Sequence, residues 1–162
     1  MRHLLLTLFL FLSASLLASE PAGRLFRFER STNRNYICYD VQLRDGHLDA
    51  KKPIHVYWIC AEEHGQAEEL NYIQRKFAFG YKVISRGDDE VCIHLTAYKD
   101  LPIRVCRREG RWVALVMING QESELIRMFA QMRSPNSLHV EYVDIFGLRL
   151  DTHAPIRQRI TR

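Results

Sequence analysis

Apolar residues recur at alternate positions through most of the chain, and turn chemistry bounds each such run. Leu25–Phe28 is a short alternating piece. Tyr36–Leu43 puts Ile37, Tyr39, Val41 and Leu43 on one face and Asp40 and Gln42 on the other. Ile54–Cys60 is apolar on both faces except at His55, the pattern of a central strand, and Pro53 stands at its start, where a missing N–H costs least. From Val83 onward the chain reads as a meander. Val91, Ile93 and Leu95 alternate with Cys92 and His94, and Ile103 and Val105 alternate with Arg104 and Cys106. Arg111–Ile118 runs into Asn119-Gly120, the strongest short hairpin signal, and Leu138–Phe146 follows the turn-rich Ser134–Ser137. Glu122–Met132 has helical spacing at Leu125, Met128, Phe129 and Met132, but the tight Asn-Gly turn calls for a returning strand, and we read it as one.

One segment carries a helical period. Across Gln66–Phe79, and on to Tyr81, an apolar stripe forms from Leu70, Ile73, Phe77 and Tyr81, with Gly80 as its stop. Tyr72 and Phe79 fall on the opposite face beside Arg75 and Lys76: either an aromatic-basic binding surface or, more plainly, a helix held between the sheet and a loop. The expected fold is mainly β, an antiparallel meander forming a β-sandwich or partly closed barrel, with one amphipathic helix at about 66–79 inserted.

The N-terminus changes how the rest is read. Met1-Arg2-His3 is followed by the apolar run Leu4–Leu12, small residues from Ser13 to Ser19, and Glu20-Pro21. That is the layout of a secretory signal peptide, and Leu4 to Leu17 is shorter than the roughly 18–20 residues that span a bilayer. We expect a signal over 1–19, one β-rich domain over 20–162, a periplasmic or secreted location, and no integral membrane span after cleavage. The chain is 47% hydrophobic and 26% charged, which excludes a disordered or polytopic membrane chain. Its net charge of +4, with no basic run longer than two residues, is too slight for a nucleic-acid footprint.

In an oxidising compartment four cysteines without CxxC spacing point to disulfides rather than metal or redox motifs. Folding 91–95 against 103–106 about Lys99 sets Cys92 opposite Cys106 and predicts that bridge. The same test on Cys38 and Cys60 mixes polar and apolar faces, so these read as two separate buried thiols. The histidines are scattered, no hydrolase, metalloprotease or nucleotide-binding motif occurs, and no metal or cofactor is expected. Aromatic and amide residues gather at strand and helix ends. They frame a candidate ligand site from Asn33, Asn35, Tyr57, Trp58, Gln74, Arg75 and Tyr81, for an unknown small or envelope-derived ligand. Asn33 and Asn35 also suit a plain turn, and Arg75 and Lys76 a solvated face. The alternative chemistry is a small envelope hydrolase using Cys60 with His94 as base.

Several of these residues resemble a known family in their order along the chain. They are Ser31, Asn33 and Asn35 before a strand with Tyr39; Gly46 with Leu48; and Pro53-Ile54 with Val56-Tyr57-Trp58. Then come Glu69-Leu70, Ile73-Gln74-Arg75-Lys76, Ala78-Phe79-Gly80-Tyr81, and finally Val140, Tyr142-Val143 and Gly147. Over about 26–160 the chain resembles an exported bacterial family known only as a domain of unknown function, number 4833 of that series. The resemblance implies a single-domain envelope or secreted protein and a strand at Glu122–Met132. It brings no activity, cofactor or catalytic residue, and the cysteines lie outside its pattern.

Overall fold

The computed structural model describes residues 23–134 and 139–161; the expected signal segment lies outside them. Of these residues 66% are strand, and a curled mixed sheet forms a half-barrel. Its strands are β1 (Arg24–Arg30), β2 (Tyr36–Val41), β5 (Ile54–Cys60), β6 (Gln66–Glu69), β7 (Tyr81–Gly87), β8 (Glu90–Leu95), β9 (Tyr98–Arg108), β10 (Arg111–Ile118), β11 (Gln121–Met132), β12 (Val140–Arg149) and β13 (Pro155–Thr161). A small separate hairpin is made of β3 (Leu43–Arg44) and β4 (His47–Leu48).

The long strand β11 organises everything. Along one edge it pairs with β12; along the other it serves two partners in succession. Gln121–Glu124 pair antiparallel with β10, and Arg127–Ala130 pair with β1, the one parallel pairing among the described strands. The hand-over falls at a bulge between Leu125 and Arg127. Gly147 lies opposite that bulge, where a Cβ would stand 2.5 Å from the Glu124 carbonyl oxygen and 2.7 Å from Ile118 Cδ1. A residue with no side chain is what lets β12 close on the bulged strand. Two antiparallel wings therefore hang from β11, one running β1-β2-β5-β6 and the other β10-β9-β8-β7. The expected meander is present in each wing; the parallel joint between them is not an antiparallel feature.

The concave side holds the core. Phe26 and Phe28 of β1 face Tyr39 and Ile37 of β2, which face Val56 and Trp58 of β5. The Phe26 and Tyr39 rings stack at 4.3 Å. The other wing contributes Val91, Ile93, Leu95, Ile103 and Val105, and β11 adds Met128 and Ala130. The hairpins follow local chemistry. Asn119 and Gly120 both have positive φ (50° and 76°), as do Asp45 and Gly46, the geometry that matches strand twist in a two-residue turn.

The predicted helix is much shorter. Gln66–Glu69 is an edge strand on β5, entered through a turn in which His64 and Gly65 both take positive φ. Good helix formers yield there because the β5 edge needs hydrogen-bond partners. Among the described residues only Tyr72–Gln74 (α1) and the π-turn Arg75–Phe79 are helical. Asn71 caps α1: its Oδ1 accepts from Gln74 N at 2.9 Å, and Gln74 Oε1 accepts from Asn71 N at 3.0 Å. The wider π-turn changes the phase of the side chains. Ile73 and Phe77, predicted inward, are 68% and 64% exposed, whereas Phe79, predicted outward, packs on Trp58 at 5.2 Å. Tyr72 remains exposed, so Tyr72 and Phe79 do not share a surface.

The cysteine pairing also differs. Cys92 stands opposite Arg104, and Cys106 opposite Glu90, two residues away from the predicted register. The turn is Thr96-Ala97 with Leu95 opposite Tyr98, and β9 then bulges before Ile103. Cys92 and Cys106 are diagonal neighbours, a separation of about 7–8 Å that exceeds disulfide reach. Both are free thiols, and the other diagonal of the same square is the Arg104–Glu90 ion pair at 3.1 Å. Cys38 and Cys60 are separate buried thiols.

Candidate functional site

Where the two wings approach, side chains and the helical segment close the gap. β6 covers Tyr57–Cys60 of β5, and no strand among the described residues covers the Ile54 end of that edge. Tyr81 substitutes for one: its hydroxyl accepts from Ile54 N at 3.2 Å and donates to Ile54 O at 3.1 Å. Tyr39 donates to the Phe79 carbonyl at 2.8 Å, and Thr96 N donates to the Gly80 carbonyl at 2.8 Å. Tyr81→Phe is expected to cost about 1–2 kcal/mol, since two edge groups of Ile54 lose their partner. Denaturant unfolding measures the loss, and faster hydrogen exchange at Ile54 locates it. An unchanged Ile54 exchange rate would remove the closure role.

Beneath this bridge lies a cleft of about 730 Å³. Trp58 and Phe28 belong to one wing, Leu95 and Tyr98 to the other, and Ile73 and Phe77 to the helical segment. The β9 bulge brings Lys99 and Asp100 to the cleft as well. Arg30 is the unusual member. In β1 the inward positions are Phe26, Phe28 and then Arg30, so the strand's alternation delivers a guanidinium to the concave side. Its neighbour across the joint is Ala130, which is small enough to leave it room. The guanidinium carbon stands 5.0 Å from the Trp58 ring centre and 5.5 Å from that of Phe79. Burial lowers its pKa. Arg30 Nε and Trp58 Nε1 are both buried with no acceptor among the described residues.

Of the seven residues singled out from the sequence, Trp58 and Gln74 line this cleft. Tyr57 points to the other side of β5, where its hydroxyl donates to Asp40 Oδ2 at 2.7 Å and accepts from Arg24 Nη2 at 3.1 Å. Arg24 in turn is ion-paired with Asp40, and burial followed by the Asp40 carboxylate pushes the Tyr57 phenol up to about 12. That outer cluster is internally satisfied. Arg75 reaches Glu69 and the Leu70 carbonyl. Asn33 Oδ1 accepts from Asn35 N at 3.2 Å, and Asn35 Oδ1 from Glu62 N at 3.4 Å, so both serve the β1–β2 loop. The sequence reading missed Arg30, Tyr98 and Lys99, and it grouped Phe79 with Tyr72 on an outer face rather than with Trp58 in the cleft. An arginine continuing a Phe-x-Phe alternation was the available signal for the first.

The Cys60–His94 pair does not assemble. Cys60 faces the core of one wing, whereas His94 alternates with core residues Ile93 and Leu95 on the outer face of the other. Its Nδ1 lies 3.1 Å from the Leu95 carbonyl oxygen. Cys60 clusters instead with Glu63 and Glu68, and burial together with these carboxylates raises its thiol pKa, the reverse of an activated nucleophile. No helix among the described residues is long and apolar enough to cross a membrane.

No curated protein and no solved structure matches the chain. A family does, over residues 26–159, which takes in the cleft, the helical bridge and both wings. The chain belongs to the family described as domain of unknown function (DUF4833).

Proposed function

We propose that the protein is an exported, non-catalytic binding module of the bacterial envelope whose ligand enters the cleft between the wings. The observation that carries this reading is the cleft itself. At about 730 Å³ it has the size of a small-molecule site, with aromatic and aliphatic side chains set among the polar Arg30, Gln74, Thr96, Lys99 and Asp100. Ile73 and Phe77 stand exposed at the cleft, 68% and 64% open, two large apolar side chains that line it without being covered by the protein's own packing. The N-terminal pattern at 1–19 supports export.

Titration with the neutral apolar dye N-phenyl-1-naphthylamine tests the reading. The expected result is saturable one-to-one binding. Filling the cleft with Ala97→Trp is expected to weaken it at least tenfold, about 1.4 kcal/mol, while thermal unfolding shows that the variant still folds. Equal dye affinity in a folded Ala97→Trp variant would overturn the assignment. Mass measurement of the protein recovered from the periplasm checks removal of residues 1–19.

A further inference from the structure

From the arginine that the cleft leaves without a carboxylate we infer that its ligand is a monoanionic amphiphile, an apolar body bearing one carboxylate, held by the Arg30 guanidinium beside the buried Trp58 indole N–H. The inference rests on the binding reading above and adds the chemical class of the ligand.

The rest of the molecule shows how this fold treats half-buried arginines. Arg24 is paired with Asp40 and Arg127 with Glu29, and even the exposed Arg111 meets both oxygens of Glu124. Arg30 faces two aromatic rings instead, and no carboxylate among the described residues reaches it. Ring faces meet its charge from above; they leave its in-plane N–H groups to be satisfied. Trp58 is 7% exposed, and its Nε1 is likewise an unmatched donor. Arginine and indole N–H groups donate and never accept, so their complement is an acceptor-only group. A carboxylate meets that requirement and offers two oxygens to a planar fork.

Charge narrows the class further. Among the described residues, the charged ones lining the cleft are Arg30, Lys99 and Asp100, which sum to a single positive charge. One negative charge on the ligand balances it; a dianion would leave an excess, and a cation would meet an unpaired arginine. The remaining wall is mainly apolar, with Phe28, Leu95, Met132 and Val140 beside the uncharged Gln74 and Thr96, and suits a hydrocarbon or aryl body. Burial lowers the arginine's pKa, yet a guanidinium starts so far above neutrality that it stays charged.

Three probes with one apolar body decide the matter: dodecanoate, 1-dodecanol and dodecylammonium, each below its aggregation limit, read by displacement of the neutral dye. Dodecanoate is expected to bind at least tenfold tighter than dodecanol, with dodecylammonium weakest. In Arg30→Gln the dodecanoate affinity should fall at least tenfold, to that of dodecanol, while dodecanol changes less than twofold. Arg30→Lys keeps the charge and should recover part of the loss. Trp58→Phe removes the N–H together with part of the ring, so it should cost dodecanoate about threefold more than it costs dodecanol, which shares only the loss of ring contact. Two results overturn the carboxylate assignment and leave the cleft reading intact: equal binding of dodecanoate and dodecanol, or dye that Ala97→Trp abolishes but that no probe displaces. If folded Ala97→Trp leaves the dye unaffected, the cleft reading falls and this inference falls with it.

Discussion

Gly80→Ala is expected to destabilise the protein by about 3 kcal/mol and to abolish dye binding in the cleft. The reason is space, not backbone freedom. Gly80 has φ −66° and ψ 178°, which any residue adopts. Its Cα, however, sits against the first residue of the π-turn: a Cβ would overlap the Arg75 carbonyl oxygen and lie 2.9 Å from its carbon. Backbone cannot swing aside as a lysine tip would. Relief requires unwinding Arg75–Phe79 or rotating Gly80, and rotation breaks the Thr96 N bond to the Gly80 carbonyl. Either movement displaces Phe79 from Trp58 and takes away one wall of the cleft. Gly87→Ala is the control, because a Cβ there meets only Glu90 Cβ at 3.8 Å, an ordinary contact. Denaturant unfolding of both variants gives the comparison. If they agree within about 0.5 kcal/mol, the size of a typical neutral surface change, the close-approach argument is wrong.

The same glycine shows what could be read from the sequence. A stop after Phe79 was legible, but the π-turn that makes the stop crowded was not. Alternation was the reliable signal: β1, β2, β5 and the meander from β8 to β12 stand where period-2 patterning puts them. Asn119-Gly120 correctly forced Glu122–Met132 into a strand against its helical spacing. Failures came where long-range pairing overrode local preference. Gln66–Glu69 is composed of helix formers, yet the free edge of β5 recruits it. The parallel joint ties Glu29 to Arg127, 98 positions later, and no local pattern announces a contact at that range. The register between β8 and β9 slipped by two because Thr96-Ala97 carries none of the usual turn residues.

Legibility of the site follows the same logic. A strand apolar on both faces hides which side is inner, and so Tyr57 was grouped with Trp58 although adjacent strand residues must point apart. Gln74 does reach the cleft, but its carbonyl oxygen is already committed to the Asn71 cap. Arg30 fell between two readings, too polar for the core pattern and too close to Ser31, Asn33 and Asn35 to be separated from their loop. Strand parity alone, Phe26 then Phe28 then Arg30, distinguishes it from that loop. The general point is physical: period-2 reasoning assigns a face to every residue in a strand, including the charged residue that ends it.

Asp144→Asn is expected to cost about 2 kcal/mol near neutral pH and almost nothing at about pH 2, so the gap between variant and parent should close as acid is added. Asp144 is 3% exposed on β12, directly opposite Arg159 of β13. Arg159 approaches it with Nε at 2.9 Å and Nη2 at 3.0 Å, and Arg157 Nη2 lies 2.5 Å away. Both guanidinium groups also lean on flanking rings, Arg159 over Tyr142 at 3.7 Å and Arg157 over Phe146 at 5.3 Å. The Arg159 hydrogen bonds, with Arg157 in support, hold the carboxyl down at about 2, below its ordinary 3.8. The unfolded chain therefore binds the proton first on acidification. The ion pairs contribute fully above about pH 4, progressively less between about 4 and 2, and not at all once the folded carboxyl is protonated. Asp49, also held low by the Lys51 and Lys52 amides, titrates in parent and variant alike, so the difference between them isolates Asp144. Among the described strands β13 pairs with β12 alone, and it shows an exposed position at every second residue, which makes it the element to fray when the cluster is lost. Hydrogen exchange at Ile156 and Ile160 should accelerate in Asp144→Asn, while exchange at Met128 follows only the global stability. A gap that stays constant from about pH 6 to about pH 2 would mean that the carboxylate's charge contributes nothing, and that β13 is held by its ladder and the two stacked rings.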